Sequence, residues 1–161
     1  MIGGTTGISR ATALAFAEAG ANLYVGGLGK EVGDSLVKEV KAKFPKVDIE
    51  FEELDVRKAN DVAAFRKRAF DRFGRIDIGF NNAGIPGKTV QELSEADFDA
   101  IVGVNLKGVF LGLQHQVPHM IEKAEAQSST RPCCWGSWGT RQQRHIALAS
   151  GRPRTDEIRG A

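Results

Sequence analysis

One short segment restricts the possible folds of this chain more than any other. It is an apolar run followed by two asparagines and two small residues. Residues 76–80 read Ile-Asp-Ile-Gly-Phe, and Asn81, Asn82, Ala83 and Gly84 follow directly. A short apolar segment with a polar, glycine-containing exit is typical of a parallel strand buried on both faces. Because ligands of open α/β sheets lie beyond the carboxyl ends of the strands, residues 81–84 are a candidate ligand-binding turn. The alternative is an Asn/Gly turn that only redirects the chain.

The remaining sequence alternates between strand and helix patterns. Strands are predicted at residues 21–25 and 47–56, and helices are predicted to end at Gly20, Pro45 and Gly74. Ser94 with an acid three residues later predicts the start of a long helix. The predicted apolar stripe of that helix consists of Phe98, Ile101, Val109, Phe110, Leu113 and Val117. This order of elements implies a doubly wound parallel α/β sheet with right-handed crossovers.

A glycine-rich segment, residues 2–9, opens the chain and leads into the first predicted helix. Its sequence is Ile-Gly-Gly-Thr-Thr-Gly-Ile-Ser. The backbone N–H groups and the dipole at the start of a helix make such a turn a ready anion site. This glycine pattern indicates a dinucleotide-binding turn only when it lies between a strand and a helix. Here the strand that should lead into the turn is missing.

Composition excludes several classes of function. The 161 residues suit one domain, with 42% hydrophobic and 26% charged residues, typical of a soluble globular protein. A net charge of +2 does not argue for a nucleic-acid or membrane partner. No apolar run has the length of a membrane span and no signal segment is evident, so a cytoplasmic location is expected. The adjacent Cys133 and Cys134 predict neither a disulfide framework nor a metal site.

Several motifs occur together in the order typical of one family. They are a turn with Gly3 and Gly7, the pair Asp55-Val56, the Asn-Asn-Ala-Gly of residues 81–84, and Asn105 within Val-Asn-Leu. Over about residues 2–123 the chain resembles the classical short-chain dehydrogenase/reductases. The resemblance implies a Rossmann-like sheet, NAD or NADP as cofactor, a small alcohol or carbonyl substrate, and a homo-oligomer paired through the long helix at Phe110 and Leu113.

The resemblance also implies roles for individual residues. Asn105 is the one remaining member of the family's catalytic tetrad and would help to hold the catalytic Lys. From the residue alone, the alternative is a simple helix–helix or helix–backbone hydrogen bond of the Asn105 amide. The resemblance implies cofactor contacts at Gly3, Gly7, Ile8, Asp55, Val56, Asn81, Asn82, Ala83 and Gly84.

The departures from the family concern both the turn and the chemistry. Ser9 replaces the third glycine and is expected to crowd the packing of the helix at the phosphates. After the second strand, residues 27–29 (Gly-Leu-Gly) offer neither an acid for a ribose hydroxyl nor an Arg for a 2′-phosphate, so NAD and NADP are not distinguished. The family's Ser and Tyr-x-x-x-Lys are absent, because Tyr24 is the single tyrosine and no lysine follows Lys123.

The composition changes after Lys123. Residues 124–161 hold six Arg, no Lys and only three acids, together with both Trp and both Cys. This change suggests that the tail is the family's catalytic segment translated in a shifted reading frame. With an allowed choice of codons, residues 124–137 read two bases later give Gly-Ser-Thr-Ile-Val-Asn-Thr-Ser, which contains the expected Ser. In the same shifted frame, residues 145–150 give Tyr-Arg-Ala-Ser-Lys, a Tyr-x-x-x-Lys motif. We therefore expect a partial NAD(P)-binding domain at residues 1–123 and an aberrant, disordered, frame-shifted tail at 124–161.

The sequence thus predicts a short-chain oxidoreductase by lineage that is inactive as this chain stands, with an incomplete sheet that lacks its first strand and catalytic half. The alternative is a non-catalytic dinucleotide-binding or partner-binding module. His115 and His119 have a spacing that zinc ligands use, but Pro118 lies between them and a third ligand is missing, so no metal site is expected.

Overall fold

The computed structural model describes residues 1–127, with side chains as far as Ile121. The elements alternate as predicted. They are α1 (Gly7–Glu18), β1 (Leu23–Gly27), α2 (Lys30–Lys43), β2 (Ile49–Glu53), α3 (Ala59–Phe73), α4 (Glu95–Ile101), a π-helical turn (Val102–Lys107) and α5 (Gly108–Gln127). The first four residues of the predicted tail belong to α5, and the rest of that tail lies outside the described residues.

β1 and β2 form a parallel pair with Leu23 opposite Ile49 and Gly27 opposite Glu53. All five residues of β1 are buried. Their side chains alternate between two helical layers, as expected for a strand covered on both faces. Leu23 and Val25 pack in a cluster with α1 and α2, whereas Tyr24 packs in a cluster with α3 and α5. The predicted α/β architecture with helices on both faces is therefore confirmed.

Ile2 occupies the position beside β1 where the next strand of the sheet would run. It forms parallel bridges with Gly26 on one side and with Asn81 on the other. Its N–H donates to the Phe80 carbonyl at 2.7 Å, and its carbonyl accepts from the Asn82 N–H at 2.9 Å. Ile2 is 2% exposed. The buried Ile2 thus links the β1–β2 pair to the Asn-Asn-Ala-Gly segment.

The prediction of a buried strand at residues 76–80 was wrong. That segment has no regular strand, and Ile78 is 55% exposed. A strand in a parallel sheet requires a partner backbone along its length. Within residues 1–127, the segment pairs with Ile2 at its carboxyl end, through Phe80 and Asn82. The pairing therefore stops after one residue and the upstream part stays irregular.

The predicted helix ends are mostly correct. Gly20 and Gly74 both have positive φ, at 80° and 67°, which glycine adopts without steric cost. Ser94 forms a capping box with Asp97, each side chain accepting from the other residue's backbone N–H. This capping box confirms the predicted start of the long helix.

The predicted apolar stripe of the long helix was only partly right. Phe98 and Phe110 are 54% and 59% exposed. The buried face of α5 instead carries Gly108, Leu111, Gly112 and Gln116. The π-helical turn before α5 adds to the residues per turn and so rotates the helical face relative to a regular 3.6-residue pattern. In the described part of the chain, no helix has the length and apolar character needed to cross a membrane.

Candidate dinucleotide site

The glycine-rich turn packs directly against the Asn-Asn-Ala-Gly turn. Gly3 has φ of 77°, and a Cβ on Gly3 would lie 2.3 Å from both Cα and N of Ala83. The Gly3 N–H donates to the Gly26 carbonyl at 2.7 Å. Both the backbone conformation and the close approach therefore require glycine at position 3.

The start of α1 presents open donors beside this contact. The first intrahelical bond runs from the Arg10 N–H to the Thr6 carbonyl, so the N–H groups of Gly7, Ile8 and Ser9 have no intrahelical acceptor. The Thr6 side chain does not cap them, and the first turn of α1 carries no acidic residue. A Cβ on Gly7 would meet no atom within 4 Å. The geometry favours an anion at this helix start.

Ser9 does not crowd the turn as we expected from the sequence. Its side chain is 1% exposed, and its Oγ accepts a hydrogen bond from Asn82 Nδ2 at 2.8 Å. The hydroxyl that replaces the third glycine therefore joins α1 to the Asn-Asn-Ala-Gly turn. Comparing the glycine pattern with that of the family gives no signal for this bond, because Ser9 and Asn82 are 73 residues apart in the sequence.

Asn81 is held by α5. The Asn81 and Gln116 side-chain amides exchange two hydrogen bonds of 2.8 and 3.0 Å. A Cβ on Gly112 would lie 2.4 Å from Asn81 Oδ1, so glycine allows this close approach. Sequence reasoning missed Gln116. The four-residue spacing of Gly108, Gly112 and Gln116, which places small residues and one amide on a single helix face, is the signal that could have found it.

Asn105 lies on the π-helical turn, and its side-chain amide hydrogen-bonds to the backbone of Ile85. Its Oδ1 accepts from the Ile85 N–H at 2.8 Å, and its Nδ2 donates to the Ile85 carbonyl at 3.0 Å. Gly84 is adjacent, since a Cβ there would lie 3.5 Å from Asn105 Oδ1. Of the helix–helix and helix–backbone hydrogen bonds that the residue alone left open, the structure has the helix–backbone one, and it fixes the exit of the Asn-Asn-Ala-Gly turn. The family-implied role with a lysine stays a prediction.

Asp55 and Val56 follow β2, at the same edge of the sheet as the glycine-rich turn. The Arg57 side chain and backbone N–H both hydrogen-bond to the Asp55 carboxylate, at 2.8–3.2 Å. These bonds lower the pKa of Asp55 to about 2. Val56 is buried and packs against Gly108, where a Cβ would lie 2.8 Å from Val56 Cγ2. The structure brings Gly3, Ser9, residues 81–84 and Asn105 into one contact network. Asp55 follows β2 and is paired with Arg57 outside that network.

Tyr24 is structural. Its hydroxyl donates to Glu52 Oε2 at 2.9 Å, and burial together with this hydrogen bond raises the pKa of Tyr24 to about 12. A phenol with a raised pKa stays protonated at neutral pH, which is the opposite of an activated base. Among the residues that the structure describes, no group of three or more metal-binding side chains occurs.

Known proteins resemble this chain in sequence. Among curated relatives, a 3-oxoacyl-(acyl-carrier-protein) reductase of Thermotoga maritima is 36% identical over 91% of this chain and 59% of the relative. The levodione reductase of Leifsonia aquatica is 34% identical over 91% of this chain and 56% of the relative. The chain thus spans less than two thirds of the length of these relatives.

Solved structures show the same fold. An alcohol dehydrogenase of the archaeon Thermococcus sibiricus, complexed with 5-hydroxy-NADP, superposes with a TM-score of 0.73 at 31% identity, covering 77% of this chain and 53% of that one. An actinorhodin polyketide ketoreductase variant with NADPH superposes with a TM-score of 0.71 at 28% identity, over 76% of this chain and 48% of that one. These neighbours have NADP-type cofactors and a Rossmann fold.

The family model described as short chain dehydrogenase matches residues 1–128. That match covers the glycine-rich turn, the Asn-Asn-Ala-Gly turn and the whole of the described sheet. The chain therefore belongs to the short-chain dehydrogenase family of NAD(P)-dependent oxidoreductases.

Proposed function

We propose that this chain binds the adenosine and pyrophosphate part of NAD(P) at the glycine-rich turn. The observation that carries the proposal is the contact of Gly3 with Ala83, which places the open N–H groups of α1 beside the Asn-Asn-Ala-Gly turn. A dinucleotide pyrophosphate is an anion that fits such a helix start. The absence of acidic side chains in the first turn of α1 supports the same ligand.

Each part of the network has a role in this proposal. The N–H groups of Gly7, Ile8 and Ser9 would donate to the pyrophosphate, and the lack of a side chain on Gly7 leaves room for its approach. Asp55 and Val56 would border the adenine, and residues 81–84 would shape the adenosine side. When bound, the nicotinamide supplies a hydride acceptor or donor.

We further infer that these 161 residues do not transfer hydride on their own. The family's acid–base residues are absent from the printed sequence, and Tyr24 is a buried phenol whose pKa is raised to about 12. The whole protein, by lineage, would act on a small alcohol or carbonyl compound. We therefore favour a non-catalytic dinucleotide-binding module: the contact of Gly3 with Ala83 supports binding, and the missing acid–base residues argue against turnover.

The frame-shifted origin of residues 124–161 remains our proposal. It rests on the reappearance of Asn-Thr-Ser and Tyr-x-x-x-Lys, in family order, in one shifted frame. Sequencing the coding DNA tests it directly. We expect codons that give those two motifs when read two bases later, and a different codon set at residues 124–137 and 145–150 would disprove the shift.

The binding proposal is tested by titrating the chain with NADH and with NADPH and following nicotinamide fluorescence. We expect saturable binding of at least one cofactor, with no turnover of alcohol or carbonyl substrates. The informative variant is Ile8→Asp. Ile8 is 73% exposed in the first turn of α1, so an acid there should stabilise the helix through its dipole while repelling the pyrophosphate.

The matched control is Ala15→Asp, which adds the same charge at another exposed position of α1, two turns away. We expect Ile8→Asp to lower cofactor affinity at least tenfold without loss of stability, and Ala15→Asp to leave affinity unchanged. Equal affinities for both variants, or no binding by the folded unsubstituted chain, would refute the proposed site.

A further inference from the structure

The carboxyl end of β1 carries a glycine where a dinucleotide site usually has an acidic residue. Such an acid, about 20 residues after the glycine-rich turn, hydrogen-bonds to the 2′-hydroxyl of the adenosine ribose. Gly27 is at this position here, 20 residues after Gly7. A Cβ on Gly27 would lie 3.7 Å from Thr5 Cγ2 and 3.8 Å from the Gly4 nitrogen. A side chain at position 27 would therefore point toward the glycine-rich turn.

Glu53 is the partner of Gly27 in the sheet. The two residues are opposite each other in the parallel register of β1 and β2, and neighbouring strands lie about 4.8 Å apart. Glu53 is also the last residue of β2, so both residues lie at the carboxyl edge of the sheet. A glutamate side chain is long enough to cross one strand spacing. An acid is thus present one strand away from the position that lacks it.

The Glu53 side chain lies on the same face of the sheet as position 27. Phe51 of β2 packs against the cluster that contains α1 and α2, whereas Glu52 is bound by an arginine of α3 on the other face. Because side chains alternate along a strand, Glu53 shares the face of Phe51. Val25 of β1 belongs to the same cluster, so position 27 is on that face too.

The Glu53 carboxylate is available to a ligand. Glu53 is exposed and forms no hydrogen bond or ion pair with another described residue. By contrast, the Asp55 carboxylate is bound by Arg57. The hydrogen bond to Asp34, with a further attraction to Glu53, raises the pKa of Lys30, the first residue of α2. Glu53 therefore lies near the start of α2, beside the turn that follows β1.

The path of the adenosine ribose leads past this carboxylate. In the proposed site the pyrophosphate binds at the start of α1 and the adenine binds beside Asp55 and Val56. The ribose connects these two groups, so it lies over the carboxyl ends of β1 and β2, where Gly27 and Glu53 are opposite each other. A carboxylate on this path accepts charge-assisted hydrogen bonds from the ribose hydroxyls.

The charges around Glu53 disfavour a 2′-phosphate. Lys30 is paired with Asp34 at 2.9 Å, so its charge is already matched. Glu31, in the first turn of α2, and Glu53 add two further negative charges. A phosphate monoester carries about −1.5 to −2 charges at neutral pH. Its approach to this edge of the sheet is therefore opposed by like charge.

We propose that Glu53 takes the place of the missing acid and makes NAD the preferred cofactor. Its carboxylate accepts a hydrogen bond from the 2′-hydroxyl of the adenosine ribose and repels the 2′-phosphate of NADP. The inference rests on the proposed dinucleotide site, and it names both the cofactor of that site and the residue that selects it.

The test is titration of the chain with NADH and with NADPH, followed by nicotinamide fluorescence. We expect NADH to bind about tenfold more tightly, because only NADH has a free 2′-hydroxyl. Glu53→Gln removes the charge and keeps the size of the side chain, so the preference should fall about fivefold or more. The matched control is Glu18→Gln, which should keep the preference, because Glu18 is exposed at the far end of α1.

Gly27→Asp provides an independent check. Combined with Glu53→Gln, it puts an acid on the same face of the neighbouring strand and should restore the preference for NADH. An acid at position 27 would not replace a Glu53 that only supported the fold. Equal affinities for NADH and NADPH, an unchanged preference in Glu53→Gln, or no recovery in the folded double variant would overturn this inference and leave the dinucleotide site standing. No binding of either cofactor by the folded chain would refute the site and the inference together.

Discussion

Gly3 and Ala83 touch backbone to backbone, so closely that a Cβ on Gly3 would lie 2.3 Å from the Ala83 Cα. This contact joins the beginning of the chain to a turn 80 residues later. It is also the contact on which the proposed dinucleotide site depends, because it aligns the start of α1 with the Asn-Asn-Ala-Gly turn.

Gly3→Ala should therefore disrupt both stability and binding. Positive φ costs alanine about 1–2 kcal/mol, and the overlap with Ala83 adds about 1–3 kcal/mol. Gly74→Ala is the control, because Gly74 also has positive φ but a Cβ there would meet no atom within 4 Å. Urea denaturation should show the larger loss of unfolding free energy for Gly3→Ala, and only that variant should lose NADPH affinity. Equal losses would show that the Ala83 contact is unimportant.

The bond between Ser9 and Asn82 should be visible as an energetic coupling. Ser9→Ala and Asn82→Ala each remove one partner of the 2.8 Å hydrogen bond, and each should cost about 1 kcal/mol of unfolding free energy. The double variant should cost less than the sum of the two single variants, by about 0.5–1.5 kcal/mol. Strictly additive costs in urea denaturation would contradict the bond.

Asn105→Ala should loosen the exit of the Asn-Asn-Ala-Gly turn without unfolding the chain. The Ile85 N–H loses its acceptor, Asn105 Oδ1, so its hydrogen exchange should speed up at least tenfold. Asn105 is exposed, so the unfolding free energy should change by only about 0.5–1 kcal/mol. Asn105→Asp keeps the acceptor and should preserve the slow exchange of Ile85. Fast exchange of the Ile85 N–H in both variants would show that the bond to Asn105 Oδ1 is not what protects it.

Stability should rise with pH between about 5 and 8 because of Met1. Burial lowers the pKa of the Met1 amino group from 8.0 to about 5. In this interval the unfolded chain binds the proton and the folded chain does not, so the unfolding free energy increases with pH and is lost as pH falls. The slope is at most about 1.4 kcal/mol per pH unit for one group.

Nα-acetylation provides the control for this titration. An acetylated chain cannot titrate at Met1, so the difference in unfolding free energy between the two chains should shrink as pH rises toward 8. Asp55, Asp97 and Glu39 have lowered pKa values, so they titrate below this interval. Parallel pH profiles for the acetylated and unmodified chains would contradict a buried Met1 amine.

The sequence allowed much of the α/β framework to be predicted. Each helix up to α3 ends at or just before a glycine or proline, and the apolar positions of α2 and α3 repeat at helical spacing. Leu36, Val40, Val62 and Phe65 are accordingly buried. These features depend on local periodicity and capping, which neighbouring residues alone determine.

Features that depend on distant partners could not be predicted in the same way. Residues 76–80 have the composition of a buried strand, but a strand forms only where a neighbouring backbone pairs with it, and Ile2 provides one residue of pairing. The face of α5 was misassigned because the π-helical turn changes the phase of the helix. Gln116 and Ser9 acquired their roles from Asn81 and Asn82, which are far from them in sequence.

The most direct test of the proposed dinucleotide site is a map of backbone amide NMR shifts during titration with NADPH. The account predicts the largest shifts at Gly7, Ile8 and Ser9, with further shifts at residues 81–84, and little change at Leu23, at the other end of β1, or at Ile78. Absence of shifts at the start of α1 under saturating NADPH, or shifts concentrated elsewhere in the chain, would contradict the central claim that the turn held by Gly3 and Ala83 binds the cofactor.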